Sequence, residues 1–326
     1  MNKMIDRPKI IIVGAGPMAL DYAKVLKALN CEFITIGNSK NGAKNFEDKT
    51  GTKVILGGIE NFLKKHSSTD FGAYKVIVAV NEHLLGKITR LLIRNGFKSI
   101  LLEKPGGIDI SDIKNVHSLS LKEKADIYIA YNRRFFASTL CLKEHIKADG
   151  GVTSFNFEFT EWGHIIKDLK KNKDILNEWF IQNSSHVIDL AFSIGGNPKN
   201  IQSFVSGGQS WHPKGTIFSG AGITDKGALF SYNANWDSAG RWWAEFLTKE
   251  NRYIMKPMEQ LYRQKRGSIK IDQIKLDDEL DKTFKPGLYK QVEAYLNCPK
   301  KLMTIDNQII MLPNYSKILG DNISNE

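Results

Sequence analysis

The sequence predicts an α/β protein: a doubly wound parallel sheet in its first half, then a second domain of half-buried strands and helices. Three observations predict it. Short apolar, β-branched runs alternate with helical patterns as far as residue 130. A Gly14-Ala15-Gly16-Pro17-Met18-Ala19 turn stands between the first strand and the first helix. Beyond residue 150 the period changes, and Phe155, Phe157 and Phe159 alternate with polar residues as in a strand buried on one face.

Length and composition agree. The 326 residues, 42% hydrophobic and 25% charged, suffice for two domains with cores of their own, expected at 1–131 and 132–326. No apolar run approaches the ~20 residues that cross a bilayer. The opening Met1 to Pro8 is short and polar, so a cytoplasmic protein without a secretory leader is the expectation. Cys31, Cys141 and Cys298 show neither metal-ligand nor redox spacing; they are expected as core thiols, with no metal site. The net charge of +11 is spread along the chain rather than grouped in a tail or stripe. That favours a solvated basic surface that attracts small anions over a nucleic-acid-binding face.

In chain order, Lys9 to Val13 is a buried strand, the glycine turn follows, and Leu20 to Leu29 is an amphipathic helix with Tyr22, Val25, Leu26 and Leu29 on one face. In that context Gly14 permits a tight turn, Gly16 lets a pyrophosphate approach the backbone beside Pro17 and Met18, and Ala19 packs helix against strand, with the phosphates resting on the helix N-terminus. Glu32 to Ile36 is the second strand. It ends at Asn38-Ser39-Lys40, with no acidic residue to hold ribose hydroxyls; a neutral and basic cluster suits a 2′-phosphate, so NADP is preferred and NAD is possible. Lys53 to Leu56, a helix over 59–65, and Lys75 to Val80 continue the pattern. Val80, Asn81 and His83 then fall at the carboxyl edge of the sheet, where ligands of such sheets bind. A helix follows to Asn95, with Gly96 as its C-cap.

Ser99 to Leu102 ends in Glu103-Lys104-Pro105-Gly106-Gly107. Proline stops the strand and the glycines turn it, so Lys104 stands on a stiff bend at the same edge, and a lysine so placed can exchange protons with a substrate. A helix over 113–121 leads to Asp126 to Ala130, which delivers Tyr131-Asn132-Arg133-Arg134. The two arginines either serve a ligand or pair with helix carboxylates.

The glycine turn, the Glu103-Lys104-Pro105 string and the Tyr131-Asn132-Arg133-Arg134 run resemble, in order and spacing, the Gfo/Idh/MocA family of sugar and nucleotide-sugar oxidoreductases. The resemblance implies an N-terminal Rossmann domain and a C-terminal α+β domain with an open, mainly antiparallel sheet that makes a dimer or tetramer contact. It implies that Lys104 is the catalytic acid/base, often beside a cis peptide to Pro105, and that Glu103 and Pro105 lie against the cofactor. It also places a catalytic histidine in the helix that carries His186.

In the second half, the lysine-rich 167–173 is expected to be exposed, and Asn183 or Ser184 to cap the helix on which His186 and Asp189 share a face. Asp189 is expected to orient the His186 imidazole. Many family members carry an aspartate where this chain has Gln182, which cannot take a proton, so the relay rests on Lys104 and His186. Tyr131, Arg133, Asn183 and Asp189 are the candidate substrate contacts. The aromatic series from Phe204 to Phe246 is read as antiparallel strands, with 228–247 forming two neighbouring strands joined at Asp237-Ser238-Ala239-Gly240. Two helical segments, 288–296 and 307–319, close the domain against the first half. The expected function is an NAD(P)-dependent oxidoreductase of a sugar or nucleotide sugar. The alternative is a non-catalytic dinucleotide-binding sensor or scaffold of the same fold.

Overall fold

A computed structural model describes residues 10–320; the opening segment from Met1 to Pro8 lies outside the described residues. By contacts the chain divides into two units, residues 10–130 with Leu288–Ile309, and Tyr131–Gly287 with 310–320.

In the first unit β1 (Ile10–Val13), β2 (Phe33–Gly37), β3 (Val54–Leu56), β4 (Lys75–Val78), β5 (Ser99–Leu102) and β6 (Asp126–Ile129) are connected by α1 (Pro17–Ala28), α2 (Lys40–Thr50), α3 (Gly58–Lys65), α4 (Leu85–Arg94) and α5 (Ile110–Glu123). The six strands are parallel, in the order β6-β5-β4-β1-β2-β3. This is the doubly wound order with its crevice where β1 meets β4. Helix α1 begins three residues earlier than its apolar pattern, because Pro17 at its first position is already suited to a helical φ. Leu29, expected on its buried face, is instead the half-buried C-cap residue. His83 lies in a 3-10 turn, Glu82–Leu84, ahead of α4, so that helix starts later than expected.

The second unit opens with α6 (Ala137–Ala148) and β7 (Ser154–Glu158), followed by three helices: α7 (Gly163–Ile166), α8 (Lys173–Asn177) and α9 (Ser185–Gly195). Strands β8 (Pro198–Ser206), β9 (Ile217–Thr224), β10 (Leu229–Asn235), β11 (Trp243–Leu247), β12 (Asn251–Met255), β13 (Tyr262–Lys265) and β14 (Ile271–Gln273) complete an eight-stranded sheet in the order β14-β13-β12-β11-β7-β10-β9-β8. Only β7 and β10 are parallel neighbours. The expected hairpin between β10 and β11 is therefore absent: β7 lies between them, pairing with β10 on one side and β11 on the other. The segment after β10 crosses the end of β7, where Trp236 Nε1 donates to the Phe159 carbonyl and Gly163 N donates to the Trp236 carbonyl. Phe155 and Phe157 meet Phe192 of α9 edge-on at 5.8 and 5.5 Å, burying the inner face. Each such ring contributes ~1.5–3 kcal/mol.

After α10 (Glu279–Thr283) the chain supplies α11 (Leu288–Asn297) and β15 (Met303–Thr304) to the first unit, where β15 pairs antiparallel with β6; α12 (Ile305–Ile318) follows. The expected boundary at 131/132 counts 288–309 with the second domain, its last helix packing back on the first; by contacts that segment belongs to the first unit. Short helical and strand patterns carry no information about which sheet they join. The three cysteines are half-buried and in no disulfide, not core thiols as expected. Among the described residues no helix is long and apolar enough to cross a membrane and no cluster is suited to a metal ion.

Candidate active site

The glycine turn is fixed by close packing on one side and open on the other. Gly14 has φ +124°, and a Cβ there would stand 2.1 Å from the Ala79 carbonyl oxygen at the end of β4. Only glycine fits. Gly16, the N-cap residue of α1, has open space where a Cβ would be, and no side chain caps the helix. The first N–H groups of α1 are thus left for an external acceptor, the arrangement that takes a phosphate. Pro17, exposed, and Met18, half-buried, open the helix. Asn38, Ser39 and Lys40 are exposed at the end of β2; the Ser39 hydroxyl accepts from Gly42 N at 3.3 Å and so caps α2. Asn81 and His83 are exposed beyond β4, with Val80 half-buried before them. These residues fit a dinucleotide along the carboxyl edge of the first sheet.

Lys104 is half-buried at the same edge, at the end of β5, and its peptide bond to Pro105 is cis. Its neighbours are tied down. Glu103 accepts a hydrogen bond from Tyr22 Oη of α1 at 2.6 Å, and the Pro105 carbonyl accepts one from buried Gln308 of α12 at 3.1 Å. Burial and the Glu103 carboxylate push the Tyr22 hydroxyl well above the usual phenol range, which keeps its proton on the donor side of that bond. Both supports come from residues distant in sequence, and neither Tyr22 nor Gln308 carries a local signal beyond helical spacing.

In the second unit Arg133 and His186 both face Trp242, and Tyr131 faces His186. Tyr131, buried, stands edge-on to His186 with ring centroids 5.8 Å apart, and His186 lies 6.2 Å from Trp242. The Arg133 guanidinium lies over Trp242 at 4.6 Å. The two arginines divide between the two roles left open for them. Arg134 makes a bidentate pair with Asp189, Nε to Oδ2 at 2.8 Å and Nη2 to Oδ1 at 2.6 Å, so it does pair with a helix carboxylate. Both Asp189 oxygens therefore accept from Arg134, a partner that the expected pairing with His186 did not include. Asn183 and Ser184 do not cap a helix: a π-helical turn over Phe180–Ser184 runs into α9, and their side chains donate to Glu161 instead, Asn183 Nδ2 at 3.0 Å and Ser184 Oγ at 2.9 Å.

Glu161 was not anticipated. It is 1% exposed, just past the end of β7, and burial pushes its carboxyl up to about 7 despite the donors around it and Arg241 at 3.4 Å. Arg241 in turn lies over Trp162 at 4.7 Å and Trp242 at 4.6 Å. The Arg241-Trp242-Trp243 string, a guanidinium beside two indoles, is the local signal that marks this corner in the sequence.

Over nearly full length the chain superposes on solved dehydrogenase structures. UDP-N-acetylglucosamine 3-dehydrogenase GnnA from Acidithiobacillus ferrooxidans matches with a TM-score of 0.73 at 11% identity, covering 96% of this chain and 97% of that one. The likeness is one of fold: a parallel, Rossmann-type sheet followed by a second, mainly antiparallel sheet. The dehydrogenase MviM from Clostridium difficile matches with a TM-score of 0.71 at 17% identity, covering 96% of this chain and 98% of that one. The WlbA dehydrogenase from Bordetella pertussis, in complex with NADH and UDP-GlcNAcA, matches with a TM-score of 0.70 at 13% identity and 98% coverage of both chains. No protein-family model matches the sequence, and no curated protein matches it.

Proposed function

We propose that this protein is an NAD(P)-dependent oxidoreductase acting on a CH–OH or C=O group of a sugar or nucleotide sugar. One observation carries the reading: the open, uncapped N-terminus of α1 at Gly16 and the pinned Lys104 lie on the same edge of one sheet. Solved neighbours with the same fold hold NADH and a UDP-sugar, which supports a nicotinamide dinucleotide and a sugar derivative here. When bound, the nicotinamide supplies hydride exchange at its C4 position.

The chain's residues supply the rest. The backbone at Gly14, Gly16 and the first turn of α1 receives the pyrophosphate. Asn38, Ser39 and Lys40 favour NADP, because they offer donors and a positive charge and no carboxylate to repel a 2′-phosphate. In the oxidation direction Lys104 Nζ takes the proton from the substrate hydroxyl, and in reduction it returns one. His186 assists by hydrogen bonding to the substrate, with Tyr131, Arg133 and Asn183 around the sugar. Gln182 contributes no proton, which leaves Lys104 as the titrating base. The outer face of the second sheet forms a homodimer or homotetramer contact.

The test is steady-state turnover of NADP+ and NAD+ with a panel of nucleotide sugars, for the wild type and Lys104→Met, alongside dinucleotide binding by calorimetry. Turnover is expected to fall by ~10²–10⁴-fold, the ordinary worth of a general base, with dinucleotide affinity unchanged. Equal turnover in the variant removes Lys104 from the chemistry. Tight dinucleotide binding with no turnover of any sugar favours the sensor.

A further inference from the structure

Arg133 is a half-buried guanidinium whose side chain, among the described residues, makes no ion pair and no hydrogen bond; its contacts are the faces of Trp242 at 4.6 Å and Phe136 at 5.8 Å. The next residue provides the contrast, since Arg134 has both Asp189 oxygens to itself. A guanidinium carries five N–H donors in a fixed fork, and removing it partly from water without an acceptor is costly. Cation–π contact offsets part of that cost and satisfies none of the donors in their own plane.

The carboxylates nearby do not fill the role. Glu161 is turned to Asn183, Ser184 and Arg241, and its own burial holds its carboxyl up to about 7. Glu259 acts on Arg133 only as a charge at longer range, from an exposed position. Arg241 adds a second guanidinium over the same indole, 4.6 Å from its centroid. Desolvation, with Arg241 adding to it, brings the Arg133 group down to about 10, so it stays charged at neutral pH. His186 faces that indole too, its ring centroid 6.2 Å from that of Trp242. Arg133 and the histidine proposed to assist catalysis thus share Trp242 as a neighbour.

We propose that Arg133 is the anion-recognising residue of the substrate site, and that the substrate is an acidic sugar whose carboxylate or phosphate engages the Arg133 fork beside His186. A planar guanidinium matches both oxyanions with paired hydrogen bonds, whereas a neutral hydroxymethyl group at the same place leaves the donors unfilled. Calling the bound anion a substrate rests on the oxidoreductase reading; the anion site itself does not, and it is tested separately.

The experiment titrates the full-length protein with glucuronate, glucose 6-phosphate and glucose, three ligands that differ only at C6, following tryptophan fluorescence with and without saturating NADP+. Wild type, Arg133→Met and Arg133→Lys are compared, with thermal melting as the control for folding. In the wild type at least one of the two anionic sugars is expected to bind ~10-fold or more tighter than glucose, the usual worth of a charge-assisted hydrogen bond. Whichever binds tighter identifies the oxyanion. Arg133→Met loses that preference at an unchanged melting temperature, and Arg133→Lys, which keeps the charge without the fork, retains part of it. If the variants do not fold, the wild-type comparison still decides. Equal binding of the three ligands, no saturable response to either anion in either condition, or a preference that survives Arg133→Met overturns the proposal. Anion preference together with no turnover of any sugar in the nucleotide-sugar panel leaves the anion site standing and removes only the oxidoreductase reading.

Discussion

Glu161 shows how far one residue's environment departs from its sequence. It follows an alternating aromatic strand and has the look of a solvated strand-end carboxylate, yet it is 1% exposed and its carboxyl is pushed up to about 7 from 4.5. Below pH 4.5 the group is protonated in both folded and unfolded chains. As pH rises the unfolded chain ionises first, so the folded state loses stability between about 4.5 and 7 and levels off above, a change on the order of 3 kcal/mol. Glu161→Gln keeps an acceptor for Asn183 and Ser184 and removes the titration. Chemical denaturation across that range is expected to show the variant gaining on the wild type as pH rises, and parallel curves would refute the buried carboxyl. The two arginines make the same point in reverse: Arg133-Arg134 reads as one motif, while Asp189 on α9 gives only the second of them an ion pair.

Among the elements, the β1–α1 turn separates folding from binding within three residues. Gly14 faces the Ala79 carbonyl at a φ of +124°, so Gly14→Ala is expected to cost ~1–3 kcal/mol from the strained backbone alone, with the close contact adding to it. Gly16 is at φ −89° with nothing near its absent Cβ, so Gly16→Val is expected to leave the melting temperature nearly unchanged and to weaken dinucleotide binding at least ~10-fold by filling the place proposed for the phosphate. Thermal melting with dinucleotide calorimetry on both variants separates the two; a Gly16→Val protein that binds the dinucleotide normally would remove the cradle. The first six strands were legible because each is a short, mainly apolar run at its expected place; β1, β4 and β5 are buried almost throughout, whereas edge strand β3 is buried only at Val54. The β10–β11 hairpin was misjudged because alternation reports which face is buried and not which strand lies alongside; insertion of β7 between them satisfies the same pattern.

On the scale of the whole molecule, the second sheet leaves one face unfilled. Phe204 is 75% exposed and Leu229 60%, and Ile223, paired across from Leu229, is 37% exposed on the same outer surface. An apolar surface of that kind on an ordered sheet fits the proposed contact between copies of the chain. Sedimentation of the wild type is expected to show a dimer or tetramer, and the double substitution Phe204→Asp with Leu229→Lys to give a monomer that melts at a similar temperature. A wild type that sediments as a monomer at micromolar concentration would exclude the contact.

The sequence by itself determined the doubly wound first sheet, the glycine turn and the place of Lys104 at a strand end, because each rests on local periodicity or on a backbone conformation that few residues adopt. Tertiary structure alone decided which unit receives 288–309, that Tyr22 and Gln308 brace the residues beside Lys104, that Asp189 serves Arg134, and that Glu161 is buried. Those outcomes depend on pairings between residues tens to hundreds of positions apart, where desolvation and partner choice outweigh anything a local pattern records.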